Sequence, residues 1–172
     1  MIKPLVEHID FSILEDKVDE RYVGSKFETY KTLAPKQKGA VSERMVSQIL
    51  EAIGHDVQPP ENTDHDRIVN GKKVEIKAAT LIKNSNTFSF LQIRPNQDVD
   101  YYILATILPN NIRLFKMEKE TVFGLIKSGR IKPQHGGAKA NSGTYCYYPT
   151  PVELSAQTKE ILQHDNGNTT VI

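Results

Sequence analysis

A chain of 172 residues, 38% hydrophobic and 25% charged, has the size and apolar content of one globular domain, or of one domain with a small appendage. Its 22 Lys and Arg against 21 Asp and Glu exclude the strongly basic balance of a simple nucleic-acid coat protein. They do not exclude a protein that uses carboxylates for a metal and cations for phosphates. The single cysteine, Cys146, rules out an internal disulfide and a cysteine-based zinc site. No apolar run reaches bilayer-spanning length, and Met1 to Glu7 lacks the apolar stretch of a signal peptide, so a cytoplasmic location is the expectation.

In chain order, Glu7 to Tyr30 is charged and weakly periodic and suits two short helices. Ala34 to Gly39 reads as a turn, because Pro35 and Gly39 punctuate it. From Val41 to Ile53 the apolar positions Val41, Met45, Val46, Ile49, Leu50 and Ile53 form a helical stripe, which Gly54 ends. Strands are then predicted at His65–Val69 and Lys72–Ala78, joined by Asn70-Gly71, and at Thr87–Ile93, Tyr101–Leu108 and Ile112–Lys116. A second helix runs from Glu118 to Lys127. A Gly- and Lys-rich stretch occupies Gly129 to Gly143, a strand Thr144–Tyr148 and a terminal helix Val152–Gln163. The polar tail from His164 to Thr170 is expected to fray. The fold class is α+β, with a mixed or antiparallel central sheet flanked by helices.

The Asn-Gly turn carries the chemistry. With Asn70 and Gly71 as its two central residues, Val69 faces Lys72, Arg67 faces Val74 and Asp66 faces Glu75. Alternation along the strands puts Asp66, Glu75 and Lys77 on one face, and Val69, Val74 and Ile76 on the other. Two carboxylates placed directly across a strand pair repel. A divalent cation relieves that repulsion, and magnesium suits it because it takes one or two protein carboxylates and keeps waters. Such an ion activates water and offsets charge on a phosphate, while Lys77 is placed to orient the water. Asp64 shares this face by the same count and stands as an alternative ligand or as a loop partner of Lys77.

The stretch from His65 to Lys77, with Asp66 ahead of Glu75-Ile76-Lys77, resembles the core motif of the PD-(D/E)XK nuclease superfamily, which includes many type II restriction endonucleases. The resemblance covers roughly Gly39 to Arg94. One departure is that Asn62-Thr63-Asp64-His65 stands where many members have Pro before the Asp. The resemblance implies a restriction-endonuclease-like core, with Asp66 and Glu75 binding Mg²⁺ and Lys77 acting on the water. It further implies that Glu43, on the preceding helix, and Gln92, on the third strand, assist. Glu43 reads equally as an acid favoured by the dipole in a first helical turn. Gln92 and Arg94, alternating with Leu91 and Ile93, read equally as the polar face of a strand.

The basic stretch after Lys127 contains Arg130, Lys132 and Lys139, which suit phosphates, and Gln134, His135, Asn141 and Ser142, which suit base edges. With Arg94, these are the expected DNA-binding residues. A flexible surface loop has the same composition. The five histidines have no zinc-ligand spacing, and Tyr145, Tyr147 and Tyr148 read as packing residues.

The expectation is one nuclease domain over 1–172: a helical extension at 1–38, a catalytic core at 39–128, and a basic loop with C-terminal segment at 129–172 for DNA recognition. The expected function is that of a type II restriction endonuclease cutting double-stranded DNA through a magnesium-activated water. Its expected partners are DNA, a second copy of itself on a palindromic target and a cognate DNA methyltransferase. The alternatives are a structure-selective nuclease such as a Holliday junction resolvase, and a catalytically silent DNA-binding protein of the same fold.

Overall fold

The computed structural model describes residue 10 and residues 17–136 and 143–161. Helices are α1 (Glu28–Thr32), α2 (Pro35–Ala52), α3 (Lys119–Lys127) and α4 (Pro151–Gln157). Strands are β1 (Val57–Gln58), β2 (Arg67–Val69), β3 (Lys72–Thr80), β4 (Phe90–Ile93), β5 (Tyr101–Leu108), β6 (Asn111–Glu118), β7 (Lys132–Pro133), β8 (Tyr145–Tyr147) and β9 (Lys159–Ile161). Six strands form the central sheet in the order β1-β2-β3-β5-β6-β9, and three form a second sheet in the order β4-β8-β7. The central sheet is mixed, since β3 and β5 are parallel and its other neighbours antiparallel. Parallel neighbours need a crossover, and here the crossover carries β4 into the second sheet. The architecture is therefore α+β with helices flanking a mixed sheet, as the sequence suggests.

Two apolar clusters sandwich the central sheet. On one face Val46 and Leu50 of α2 meet Val69, Val74, Ile76, Tyr101, Ile103, Ala105, Leu114 and Ile161. On the other, Ala79, Tyr102, Leu104, Phe115 and Met117 meet Phe90, Ile93 and Tyr147 of the second sheet, Val122 and Leu125 of α3, and Leu154 of α4. Strand β5 lies between them, and every residue from Tyr101 to Ile107 is buried. An apolar run without alternation is what a doubly covered strand requires.

Helix α2 begins earlier than the sequence reading places it. Pro35 occupies the first helical position, where a missing N–H costs nothing, and Gln37 Oε1 accepts the Ala34 N–H at 3.2 Å. The predicted turn at 34–39 is thus the helix start, and the helix runs through the expected boundary at 38/39. Ser42, Val46 and Leu50 recur every fourth residue and are its buried positions.

At the β2–β3 turn Asn70 has φ 49° and Gly71 φ 78°, the pair of positive angles that a two-residue primed turn needs. The register follows: Arg67 faces Val74, Ile68 faces Lys73 and Val69 faces Lys72. The tip is tied to the end of α2. Asn70 Oδ1 accepts the Asp56 N–H at 2.9 Å, the Asn70 N–H donates to the Asp56 carbonyl at 2.9 Å, and Asn70 Nδ2 lies 2.8 Å from His55 Nδ1.

Three further elements differ from expectation. The third predicted strand shortens to β4 and leaves the central sheet. The predicted terminal helix ends at Gln157, after which Thr158 turns extended and β9 pairs with β6. Ile161 on β9 thereby reaches the first core. Of the two helices predicted in Glu7–Tyr30, residues 1–9 and 11–16 lie outside the described residues, and α1 forms from the remainder. Among the described residues no helix is long and apolar enough to cross a membrane.

Candidate active site

Strand β3 turns Val74 and Ile76 toward α2, which leaves Glu75 and Lys77 on the opposite face. Glu75 is buried, 5% exposed, and Lys77 Nζ lies 2.6 Å from its Oε1. Burial pushes the Glu75 carboxyl above its ordinary range and the nearby Asp66 charge adds to this, while Lys77 and Arg94 pull it down. A buried carboxylate without a cation is strongly disfavoured, so Lys77 is what makes an ionised Glu75 tolerable there.

Asp66 lies just ahead of β2. Its N–H donates to the Val74 carbonyl at 2.9 Å, and its Oδ2 accepts the Ile76 N–H at 2.7 Å. The short β2 stops at Arg67, so the Asp66 side chain takes over the pairing of a β3 amide that the strand has ceased to satisfy. That bond fixes the carboxylate where its charge acts on Glu75.

Glu43 approaches from α2. Because α2 starts at Pro35, Glu43 lies well inside the helix rather than in its first turn, and the dipole explanation for it lapses. Burial pushes its carboxyl up, the Asp66 charge raises it further, and Arg67 and Lys77 lower it. Arg67 Nη1 lies 3.4 Å from Glu43 Oε2. Glu43, Asp66, Glu75 and Lys77 thus form one electrostatic cluster with Arg67 and Arg94 at its edges.

Gln92 lies on an irregular strand. Strand β4 pairs Phe90 with Tyr147 and Ile93 with Tyr145, so an extra residue bulges from it, and Gln92 takes φ 56°. The bulge breaks the expected alternation, and Leu91 is exposed beside Gln92. The Gln92 N–H donates to Gln134 Oε1 at 2.6 Å. Among the described residues no hydrogen bond joins Gln92 to Glu75 or Lys77. Arg94, one residue past β4, is exposed and close enough for its charge to act on Glu75.

The expected DNA-binding residues divide. Arg130 Nη2 is 2.5 Å from Glu153 Oε2 and also donates to the Tyr148 carbonyl, so it braces α4. Lys132 and His135 are exposed on or beside β7, and Gln134 links β4 to the segment before β8 through its side chain and its N–H to the Thr144 carbonyl. Lys139, Asn141 and Ser142 lie outside the described residues. Asp64 is exposed, and its N–H donates to Asn62 Oδ1 at 2.9 Å in a local turn.

Arg67 is the contact that the sequence reading left unused. It faces Val74, whose side is covered by α2, and there its Nε donates to Ser47 Oγ at 2.9 Å while Nη1 meets Glu43. Glu43 and Ser47 are four residues apart on one helix face. That spacing, read with the hairpin register, is the sequence signal for the contact.

Among the described residues no group of three His, Cys, Asp or Glu side chains gathers to hold a metal. The donor set is two apposed carboxylates, Asp66 and Glu75. Oxygen donors in that number fit magnesium, which takes one or two carboxylates and retains waters; they do not fit a closed four-ligand zinc site.

No family model matches the chain, and no curated protein matches it. Among solved structures it is similar to a bacterial homing endonuclease, I-Ssp6803I, with a TM-score of 0.50 at 12% identity, covering 73% of this chain and 87% of that one. At that identity the likeness is one of fold alone.

Proposed function

We propose that this chain is a magnesium-dependent DNA endonuclease of the PD-(D/E)XK type. The observation that carries the reading is the apposition of Asp66 with the buried Glu75–Lys77 pair on one side of a hairpin, with Glu43 brought in from α2. The fold likeness to an endonuclease supports it.

Asp66 and Glu75 would hold the ion. When bound, magnesium stabilises negative charge on the scissile phosphate and acidifies a water. The protein's own groups do the remaining work. The Ile76 N–H fixes Asp66 so that its carboxylate needs no reorganisation at the moment of reaction. Lys77 pulls the Glu75 carboxyl down against the effect of burial, and its ammonium would orient the attacking water and offset charge developing on the phosphate. Arg94, at the rim, suits a neighbouring phosphate. The finer reading is a restriction endonuclease that works as a homodimer on a short palindrome, with a cognate methyltransferase protecting host sites.

The test is digestion of methylation-free genomic DNA with Mg²⁺, with sequencing of the ends. Ends at one short recurring sequence support the restriction reading, and ends at a single long site support an endonuclease of rare specificity. Glu75→Gln and Lys77→Ala are expected to lower the cleavage rate at least about a hundredfold while circular dichroism shows a folded chain. Cleavage by the folded variants at the wild-type rate defeats the proposal.

A further inference from the structure

The second sheet packs on the side of the central sheet that carries Glu75 and Lys77. These two alternate with Ala79 onto one face of β3, and Ala79 meets Phe90, Ile93 and Tyr147 of the second sheet. With those three turned inward, Leu91, Gln92, Arg94 and Lys132 are left exposed on the outer side. No Asp or Glu occurs in 87–94, 130–136 or 143–149, the segments that build this sheet, so its charges are all cationic. At its centre Leu91 and Gln92 together stand against Cys146, the bulge in β4. Gln92 takes φ 56°, an angle that glycine adopts freely and glutamine does not. Its N–H is held by Gln134 Oε1 at 2.6 Å, and the Gln134 N–H is held in turn by the Thr144 carbonyl at 2.9 Å. The Gln92 side chain is exposed, so packing does not offset the strain. A bulge re-aims a side chain, and a strained residue held in place by its neighbours points to function. The end of β4 is also tied to the catalytic strand's neighbour. Tyr102, the register partner of Glu75 on β5, donates through its hydroxyl to the Arg94 carbonyl at 3.1 Å. Gln92 is two residues earlier, at most about 7 Å of chain away.

We infer, resting on the nuclease reading, that the outer side of the second sheet enters the major groove of duplex DNA and that Gln92 reads a base there, as a specificity-determining residue. A short β-sheet fits that groove. A glutamine amide carries a donor and an acceptor side by side, and so pairs with N6 and N7 of adenine. Arg94 and Lys132 take backbone phosphates, which set the register on the duplex and read no sequence. Gln134 is a positioning residue: with its Oε1 committed to the Gln92 N–H, it holds the bulge.

The experiment digests methylation-free genomic DNA with the full chain and Mg²⁺ and sequences the ends, scoring base preference at each position around the cut. Wild type is expected to favour adenine at one position by at least about tenfold. Gln92→Gly accepts the φ of the bulge without strain, so it is expected to unfold at no lower temperature than wild type and yet to lose that preference. Preferences at the other positions are expected to remain. Gln92→Glu is expected to move the preference at the same position toward cytosine, whose N4 amino group a carboxylate accepts. Gln134→Leu is expected to weaken the preference at that position alone. An unchanged preference in Gln92→Gly, or a relaxation spread over all positions, overturns the inference. So does equal slowing at every sequence with preferences kept, the mark of a catalytic helper, and so does wild-type cleavage without base preference. These outcomes leave the nuclease reading standing. Gln134→Leu acting at a different position overturns its part as the support of Gln92. A wild type that cuts no DNA overturns the nuclease reading and this inference with it.

Discussion

Asp19 shows how a single buried charge anchors the segment ahead of α1. It is 6% exposed and is gripped by Arg21 through Nε and Nη2, both at 2.9 Å, with Lys31 Nζ at 3.5 Å. Arg21 continues to the carbonyls of Ile82 and Ser85, and Lys31 to that of Leu81, so the pair pins the chain before α1 to the crossover between β3 and β4. The hydrogen bonds and charge of Arg21 hold the Asp19 carboxyl at about 2. A depressed carboxyl binds protons less readily in the folded chain than in the unfolded one. Its stabilisation is therefore present above pH 4 and lost as pH falls toward 2. Discounted for the solvent around Arg21, it is on the order of 1–2 kcal/mol. Urea unfolding at pH 6 and at pH 2.5 is expected to show Asp19→Asn less stable than wild type at pH 6, with most of that gap gone at pH 2.5. A gap independent of pH removes the ion pair as the cause.

At the scale of elements, the β2–β3 hairpin is the part that everything else serves. Asn70 does two things there: it adopts φ 49°, and its side chain and N–H hold His55 and Asp56 at the end of α2. Asn70→Gly keeps the backbone angle and loses the side-chain bonds, a cost of about 1–2 kcal/mol. Asn70→Ala adds the strain of a Cβ in the left-handed region and is expected to cost about 1 kcal/mol more. Thermal or urea unfolding ranks the two, and equal stabilities would show that the turn angle carries no strain. This hairpin was legible in the sequence because a two-residue turn fixes register by counting, and register fixes which side chains share a face. The same counting places Asp66 opposite Glu75. What local pattern could not supply were features decided by distant partners. Strand β9 forms because β6 offers it an open edge, and β4 leaves the central sheet because β5 pairs with β3 in its place. The bulge at Gln92 was hidden for the same reason, since a bulge depends on the strand opposite. The start of α2 was a different error: Pro35 was read as a breaker when it sits at the one helical position that favours it.

For the whole molecule, a net charge of +1 means that under the proposed function DNA is met by the arrangement of cations and not by their excess. Many of the described cations are already engaged. Arg113 makes two bonds of 2.7 Å to Glu160 and so fastens β9 to β6; Lys116 pairs with Glu118, Lys73 with Asp98, and Arg130 with Glu153. Arg94 and Lys132 differ. Both are exposed near the second sheet, neither makes an ion pair among the described residues, and Arg94 stands beside Glu75. Each phosphate contact releases about one counterion, so the slope of log affinity against log salt counts such contacts. On a Glu75→Gln background, which prevents cleavage under the proposed mechanism, fluorescence anisotropy on duplex DNA measures that slope. Arg94→Gln and Lys132→Gln are each expected to reduce it by about one, whereas Arg130→Gln leaves it unchanged and lowers stability by loosening α4. The opposite pattern, with Arg130 changing the slope and Arg94 silent, would move the DNA to the α4 side of the second sheet, away from Glu75. The catalytic cluster and the binding surface would then not share a substrate, and the endonuclease reading would lose its geometry.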